Sequence, residues 1–182
     1  MLELRRGFIN RKIVMEQNND KLFELMKALS ESGVKFVVCG GVACVLQGVE
    51  RATFDLDIYA DLETGNLKSL IEVTKQFNLI PRIPEPVENL LDEKKRESWI
   101  QTKDALVYTF VSNSGPLQID IFLKYPKSYD ELLWNADEIE IDDVKIYVSS
   151  IEDLIFAKKL VNPVRDKDLT DIKELEEKLR NK

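Results

Sequence analysis

The hydrophobic positions of this chain follow two different periods, and each change of period predicts a new element. Apolar side chains recur at helical spacing over residues 22–29, which predicts a helix that Gly33 ends. An apolar run at 36–39 then predicts a buried strand over 34–39, and the glycines at its end open a short helix at 41–47. Alternation of apolar and polar residues over 54–60 predicts a second strand.

The remainder of the chain predicts helices that alternate with two strand hairpins. Prolines make residues 80–87 a loop, and 87–101 is a mixed stretch that contains a short helix. The predicted hairpins pair 106–111 with 117–123 and 138–141 with 144–148. The other predicted helices begin near Thr64, cover 128–136 and 151–161, and begin again near Asp166.

These elements predict an α/β (α+β) fold, in which helices flank a mixed twisted sheet and a short helical tail closes the chain. The connection between the first two strands is too short for a full βαβ unit, which takes roughly a dozen residues or more. We expect one domain over residues 1–182. It comprises an N-terminal helical segment (1–33), a core (34–148) and C-terminal helices (149–182).

Two carboxylates stand on the second predicted strand, in the sequence Asp55-Leu56-Asp57. Residues i and i+2 of a strand project from the same face, so Asp55 and Asp57 point together while Leu56 points to the other side. Two adjacent carboxylates repel each other unless one is protonated or a cation lies between them. Oxygen ligands at this spacing suit Mg²⁺, which proteins usually hold with one or two carboxylates and substrate phosphates.

Gly40 and Gly41 end the first predicted strand. They allow the backbone to come close to a phosphate, and they open a helix N-terminus, where unpaired N–H groups attract anions. Such a pair alone is a common strand-to-helix turn, and an isolated Asp-x-Asp is usually a solvated strand end or a helix cap. In this order, however, the two motifs predict a site for a metal-bound nucleotide.

This arrangement resembles the signature of the nucleotidyltransferase fold, the DNA polymerase β-like superfamily. The residues within and between these two motifs are most similar to those of the AbiEii-like, toxin-related and uncharacterised nucleotidyltransferase branch. The resemblance covers residues 34–175. The family implies a third carboxylate on a later strand, which Asp120 supplies within 117–123. It also implies that Arg51 and Thr53 belong to the nucleotide site.

The resemblance extends into the C-terminal helices. The family has a helical lysine that neutralises the triphosphate, and Lys158 matches it, whereas Lys159 faces elsewhere on the helix. A tail motif, Arg-x-Lys-Asp-x-x-Asp, is matched by Arg165, Lys167, Asp168 and Asp171.

Several of these residues also have purely structural explanations. Asp120 shares a strand face with Gln118, so it could converge with the first carboxylate pair or be an outward residue of an amphipathic strand. Arg51 could bind a phosphate through two parallel hydrogen bonds or form a surface salt bridge. Lys167 and Asp168 could equally serve the charge balance at a helix start.

The composition narrows the possible chemistry. The chain has no histidine, which excludes Ser–His–Asp and Cys–His catalysis and histidine-ligated zinc. Cys39 and Cys44 are expected to be small buried side chains rather than a disulfide. Trp99, Tyr108 and Trp134 are expected in the core or in the lining of a groove.

The formal net charge of −7 argues against a broad surface for nucleic acid. Three candidate basic patches occur: Arg5-Arg6 with Arg11-Lys12, Lys94-Lys95-Arg96, and Lys158-Lys159 with Arg165 and Lys167. The first two of them are better explained as solvated helix faces. No run approaches the ~18 apolar residues that cross a bilayer, and the N-terminus lacks the apolar core of a signal peptide. We therefore expect a cytoplasmic protein without a membrane partner.

The predicted function is Mg²⁺-dependent transfer of a nucleoside monophosphate from an NTP to a hydroxyl acceptor, with Mn²⁺ as the alternative ion. The catalytic and metal-binding residues are Asp55, Asp57 and Asp120, and the nucleotide-binding residues are Gly40, Gly41, Arg51, Thr53 and Lys158. The acceptor is an RNA end such as that of tRNA, a protein, or a small molecule. The alternatives are a non-catalytic antitoxin or partner-binding module, with a cognate toxin or antitoxin as partner, and a plain interaction domain.

Overall fold

The computed structural model describes residues 20–181, which form seven α-helices and seven strands. The helices are α1 (Asp20–Glu31), α2 (Gly40–Leu46), α3 (Thr64–Gln76), α4 (Glu93–Lys103), α5 (Tyr129–Asn135), α6 (Ile151–Lys159) and α7 (Asp166–Arg180). The strands are β1 (Phe36–Cys39), β2 (Asp55–Ala60), β3 (Leu79–Pro81), β4 (Val107–Ser112), β5 (Gln118–Phe122), β6 (Asp137–Ile141) and β7 (Val144–Val148). None of these helices has the length and apolar character that a membrane crossing requires. The predicted basic pairs Arg5-Arg6 and Arg11-Lys12 lie outside the described residues.

The strands form one mixed sheet in the order β3-β4-β5-β2-β1-β7-β6. Strand β2 pairs parallel with β5 and antiparallel with β1, and β1 pairs parallel with β7. The two predicted hairpins are confirmed as β4–β5 and β6–β7. The short α2 connects two antiparallel neighbours, which agrees with the expectation that this stretch is not a βαβ unit.

The two faces of the sheet are covered differently. The main core lies on the face that receives Leu56 and Ile58 of β2, with α1, α2, α3, α6 and α7 contributing to it. The opposite face carries a smaller cluster around Val37, Cys39 and Leu132, with α5 packed over it. Since strand residues alternate between faces, Asp55 and Asp57 lie on this second, less covered face.

Some details of the sequence analysis are wrong. The predicted loop at 80–87 begins inside β3, where Pro81 occupies the end of an edge strand and so removes no central ladder bond. Trp134 is 82% exposed on α5, whereas Trp99 and Tyr108 are buried as expected, and their rings stack on each other. Arg96 is no solvated patch residue.

The Arg96 side chain is buried and connects two segments of the backbone through hydrogen bonds. Its guanidinium donates to the carbonyl oxygens of Leu90 at 2.8 Å and Leu62 at 3.4 Å. Lys94 and Lys95 remain exposed on the first turn of α4. The basic tripeptide therefore splits into two solvated lysines and one structural arginine.

Candidate active site

A cavity of about 520 Å³ lies beside Asp55, Asp57 and Asp120 on the less covered face of the sheet, and residues of α6 and of the start of α7 also line it. The eight residues predicted for the site all line this cavity. They are Gly40, Gly41, Arg51, Thr53, Asp55, Asp57, Asp120 and Lys158. The structure thus brings together residues that are spread over more than a hundred positions of the sequence.

Asp57 and Asp120 are direct neighbours on two parallel strands. In the β2–β5 register Asp57 pairs with Asp120, and Asp55 pairs with Gln118. Paired residues project from the same face of a sheet, so the three carboxylates lie on one side. The hypothesis that Asp120 converges with the first pair is therefore confirmed in geometry, while its chemical role stays a prediction.

The Asp57 carboxyl lies in an environment that disfavours its charge. Burial raises its pKa to about 6, and the negative charges of Asp120 and Asp55 add to that rise. The backbone N–H of Gly41 donates to Oδ2 of Asp57 at 3.3 Å, which opposes the rise only partly. At neutral pH the folded protein therefore holds crowded negative charge at this position.

Gly40 and Gly41 are required by close packing. Gly40 has φ of +60°, and a β-carbon built there would stand 2.5 Å from Cγ and 2.7 Å from Cβ of Asp57. A β-carbon at Gly41 would stand 2.7 Å from Oγ1 of Thr53 and 3.2 Å from Nη2 of Arg51. The glycine turn therefore brings bare backbone against the carboxylate strand and against the segment before it.

Strand β2 begins at Asp55, so Arg51 and Thr53 precede the strand instead of extending its face. Nη1 of Arg51 donates to Oδ2 of Asp171 at 2.6 Å, and both side chains are mostly removed from solvent. The salt-bridge explanation of Arg51 is thus the one the structure shows. It is compatible with a role in the site, because the Nη2 atom of Arg51 lies beside Gly41 at the cavity.

Lys158 is buried and is held by two carboxylates of α7. Its Nζ atom lies 2.7 Å from Oδ2 of Asp171 and 3.1 Å from Oδ1 of Asp168. Arg165 binds Oδ2 of Asp168 through its Nε atom at 2.6 Å. Lys159, as expected, points away, and it pairs with Glu176 on the surface.

These ion pairs favour the charged forms of Lys158 and Asp168. Burial would lower the pKa of Lys158, but the charges and hydrogen bonds around it, those of Asp171 and Asp168 among them, raise it above its usual value. Burial would raise the pKa of Asp168, and the hydrogen bonds from Arg165 and Lys158 reverse that effect and lower it. Asp168 lies in the first turn of α7, as the helix-start explanation has it, and its carboxylate also holds Lys158 and Arg165.

Some residues of the site were not found in the sequence. Lys124 lines the cavity from the loop after β5, and no motif singles it out. Thr109 and Gln118 donate to the two oxygens of Asp120, at 2.5 Å and 2.9 Å. The predicted hairpin contained the signal for Thr109, because pairing across its turn places Thr109 opposite Asp120.

The carboxylates are not arranged as a closed metal cage. Within residues 20–181, no group of three or more aspartate, glutamate or cysteine side chains is already gathered around one point that could hold a metal ion. The donor atoms themselves are hard oxygens, which suit Mg²⁺ or Mn²⁺ rather than softer ions. The charge crowding at Asp57 is the feature that a cation would relieve.

No protein-family model and no curated protein matches this sequence. The structure, however, is similar to solved nucleotidyltransferases. The lincosamide antibiotic adenylyltransferase LnuA, in its lincomycin-bound form, gives a TM-score of 0.59 at 16% identity, over 89% of this chain and 98% of its own. The chain has the nucleotidyltransferase fold.

Two further nucleotidyltransferase-fold structures agree. ANT(2")-Ia in complex with adenylyl-2"-tobramycin gives a TM-score of 0.54 at 13% identity, over 88% of each chain. TM1012 from Thermotoga maritima, provisionally described as a nucleotidyltransferase, gives 0.52 at 15% identity, over 94% of this chain and 98% of its own. The predicted membership of the AbiEii-like branch of this fold stays a prediction.

Proposed function

We propose that this protein transfers a nucleoside monophosphate from an NTP to a hydroxyl group of a small molecule. The observation that carries the proposal is the register of Asp57 beside Asp120, with the glycine turn packed against Asp57. In the reaction the acceptor oxygen forms a bond to the α-phosphorus, and the bond to pyrophosphate breaks. The proton of the acceptor hydroxyl passes to a base.

Asp55, Asp57 and Asp120 are the residues that would hold the divalent ion. That ion would be Mg²⁺, with Mn²⁺ as the alternative. Bound there, the ion would offset phosphate charge and make the acceptor hydroxyl easier to ionise. The residues fit this role chemically, because burial and, after it, the negative charges of Asp120 and Asp55 raise the pKa of Asp57, and a cation would offset those charges. Asp120 is the group we assign as proton acceptor.

Cations in the cavity lining would supply positive charge for the triphosphate. Asp171 holds both Arg51 and Lys158, so these two cations reach the cavity from different segments in a fixed relation. A guanidinium has five N–H donors, and the pair with Asp171 leaves others for phosphate oxygens. Thr53, Gly40 and Gly41 complete the phosphate side, where the missing side chains of the glycines leave room.

Three observations favour a small-molecule acceptor over an RNA end or a protein. LnuA binds lincomycin and ANT(2")-Ia binds an adenylylated tobramycin. Apolar side chains, Phe122, Leu154 and Val161 among them, line part of the cavity. The net charge of −7 disfavours a long polyanion. The predicted toxin–antitoxin setting and cytoplasmic location stay predictions.

The test is to incubate the protein with each α-³²P-labelled NTP and Mg²⁺, together with hydroxylated small molecules, total tRNA or a protein extract. Label should move to a small molecule and pyrophosphate should be released. Asp57→Asn and Asp120→Asn should abolish transfer, whereas the exposed Asp104→Asn should retain it. Label on tRNA or protein would correct the acceptor.

A protein that binds no NTP, as judged by an unchanged melting temperature with Mg²⁺ and millimolar nucleotide, would refute the proposal. That outcome would favour the non-catalytic, partner-binding alternative.

A further inference from the structure

The Asp120 carboxylate is held in place by two side chains from the sheet itself. Thr109, its register partner on β4, donates a hydroxyl hydrogen bond to Oδ1 at 2.5 Å. Gln118, two residues earlier on β5, donates from its amide nitrogen to Oδ2 at 2.9 Å. Each oxygen of Asp120 thus has one fixed donor and keeps a further lone-pair position for another ligand.

Arg82 fixes the orientation of the Gln118 amide. Its guanidinium donates to Oε1 of Gln118, so the amide NH₂ group is the end that faces Asp120. The backbone N–H of Arg82 also donates to the carbonyl oxygen of Thr109 at 2.9 Å. One residue at the edge of the sheet is therefore tied to both donors of Asp120.

Asp57 has no comparable support from the residues between 20 and 181. There it has the single backbone donor Gly41, at the long distance of 3.3 Å. Two neighbouring carboxylates repel, so an unsupported Asp120 would also turn away from Asp57. The bonds from Thr109 and Gln118 oppose that movement and leave Asp57 as the adjustable member of the pair.

We propose that Thr109, Gln118 and Arg82 are positioning residues that orient the Asp120 carboxylate for the divalent ion and for the acceptor proton. The inference rests on the proposed function and adds Thr109 of β4 and Arg82, which follows β3, to the residues that the site motifs include. Groups that orient a metal ligand typically change metal affinity or activity by about 10–100-fold when they are removed. These residues act through Asp120 instead of through the nucleotide, so nucleotide binding should change little.

The test is Mn²⁺ binding, followed by electron paramagnetic resonance in the presence of a non-hydrolysable NTP analogue, alongside steady-state turnover. Thr109→Val, which keeps the shape and removes the donor, should weaken Mn²⁺ binding about tenfold. It should lower kcat by about 10–100-fold, with KM for the NTP changed by less than about twofold. Thr109→Ser should restore both. Gln118→Met should act like Thr109→Val, and Arg82→Met in the same direction but more weakly.

The matched control is Thr102→Val, the same substitution on the exposed surface of α4. Melting curves of all variants separate loss of folding from loss of positioning. If Thr109→Val and Gln118→Met bind Mn²⁺ and turn over like the wild type, the positioning role is wrong while the proposed function stands. If the wild type itself binds neither Mn²⁺ nor nucleotide, both proposals fall together.

Discussion

Gly40 lies against Asp57 so closely that the Asp57 carboxylate occupies the space a Gly40 side chain would need. We predict that Gly40→Ala destabilises the protein by about 2–3 kcal/mol, because it adds a collision to the cost of about 1–2 kcal/mol for a left-handed residue with a β-carbon. The same change should abolish nucleotide binding, since Asp57 must move. Urea unfolding and nucleotide titration measure the two effects.

Two other glycines separate these causes. Gly33 has φ of +70°, but a β-carbon added there would meet no described atom within 4 Å, so Gly33→Ala should show the backbone cost alone. Gly115 has open space and no left-handed φ, so Gly115→Ala should change stability by less than about 0.5 kcal/mol. Equal losses at Gly33 and Gly40 would contradict the contact with Asp57.

Asp57→Asn should stabilise the metal-free protein at neutral pH. The pKa of Asp57 is about 6 in the folded protein against an ordinary 3.8, so the folded state binds this proton more tightly. That stabilisation is complete below about pH 4 and is lost as pH rises through 6, a difference of up to about 3 kcal/mol. Asparagine has no proton to lose, so its advantage should appear near pH 7.5 and vanish near pH 3.5.

Thermal or urea unfolding in EDTA at those two pH values measures the effect. Adding Mg²⁺ at the higher pH should raise the stability of the wild type more than that of Asp57→Asn, because the ion offsets the same repulsion. A variant less stable than the wild type at the higher pH would show that Asp57 serves packing instead.

Asp171→Asn should impair both stability and nucleotide binding. The change removes the charge that holds Arg51 and Lys158, and leaves Lys158 with its weaker contact to Asp168. Breaking a buried ion pair typically costs about 3–5 kcal/mol, and the remaining partner should reduce the loss to about 2 kcal/mol. We expect KM for the NTP to rise about tenfold, from the loss of one to two charged hydrogen bonds.

Glu176→Gln is the matched control on the same helix, because Glu176 pairs with the exposed Lys159. Surface pairs contribute about 0–1 kcal/mol, so its stability and KM should stay close to the wild-type values. Similar losses in the two variants would mean that α7 acts only as a packing element.

The two adjacent lysines of α6 provide a direct comparison. Lys158→Gln should weaken NTP binding by about tenfold or more, since a hydrogen bond to a charged group contributes about 1.5–3 kcal/mol. Lys159→Gln should leave binding unchanged, because Lys159 is exposed and does not line the cavity. Calorimetric titration with a non-hydrolysable NTP analogue distinguishes them, and equal affinities would remove Lys158 from the site.

The parts of the site that follow from strand alternation were predictable. Asp55 and Asp57 share a face by the period of a strand, and Asp120 could be placed on the same face once its strand was recognised. The parallel pairing that puts Asp57 beside Asp120 was not predictable from periodicity, because it joins segments about sixty residues apart.

The roles of Asp168 and Asp171 depended on tertiary packing. A motif can mark them, but only the packing of α7 on α6 shows that they hold Lys158. Trp134 shows the opposite failure, since an aromatic residue on an amphipathic helix was expected to be covered and is open to solvent. Periodicity describes which face a residue takes, and it carries no information about what lies opposite.

Because α7 holds Arg51 and Lys158 through its carboxylates, the order of synthesis on the ribosome matters. The glycine turn, Asp55 and Asp57 emerge early, whereas Asp168 and Asp171 emerge more than a hundred residues later. In a nascent chain that has not yet released α7, Arg51 and Lys158 would lack the carboxylates that hold them. Competence to bind a triphosphate should therefore arise only after that helix has left the exit tunnel and docked.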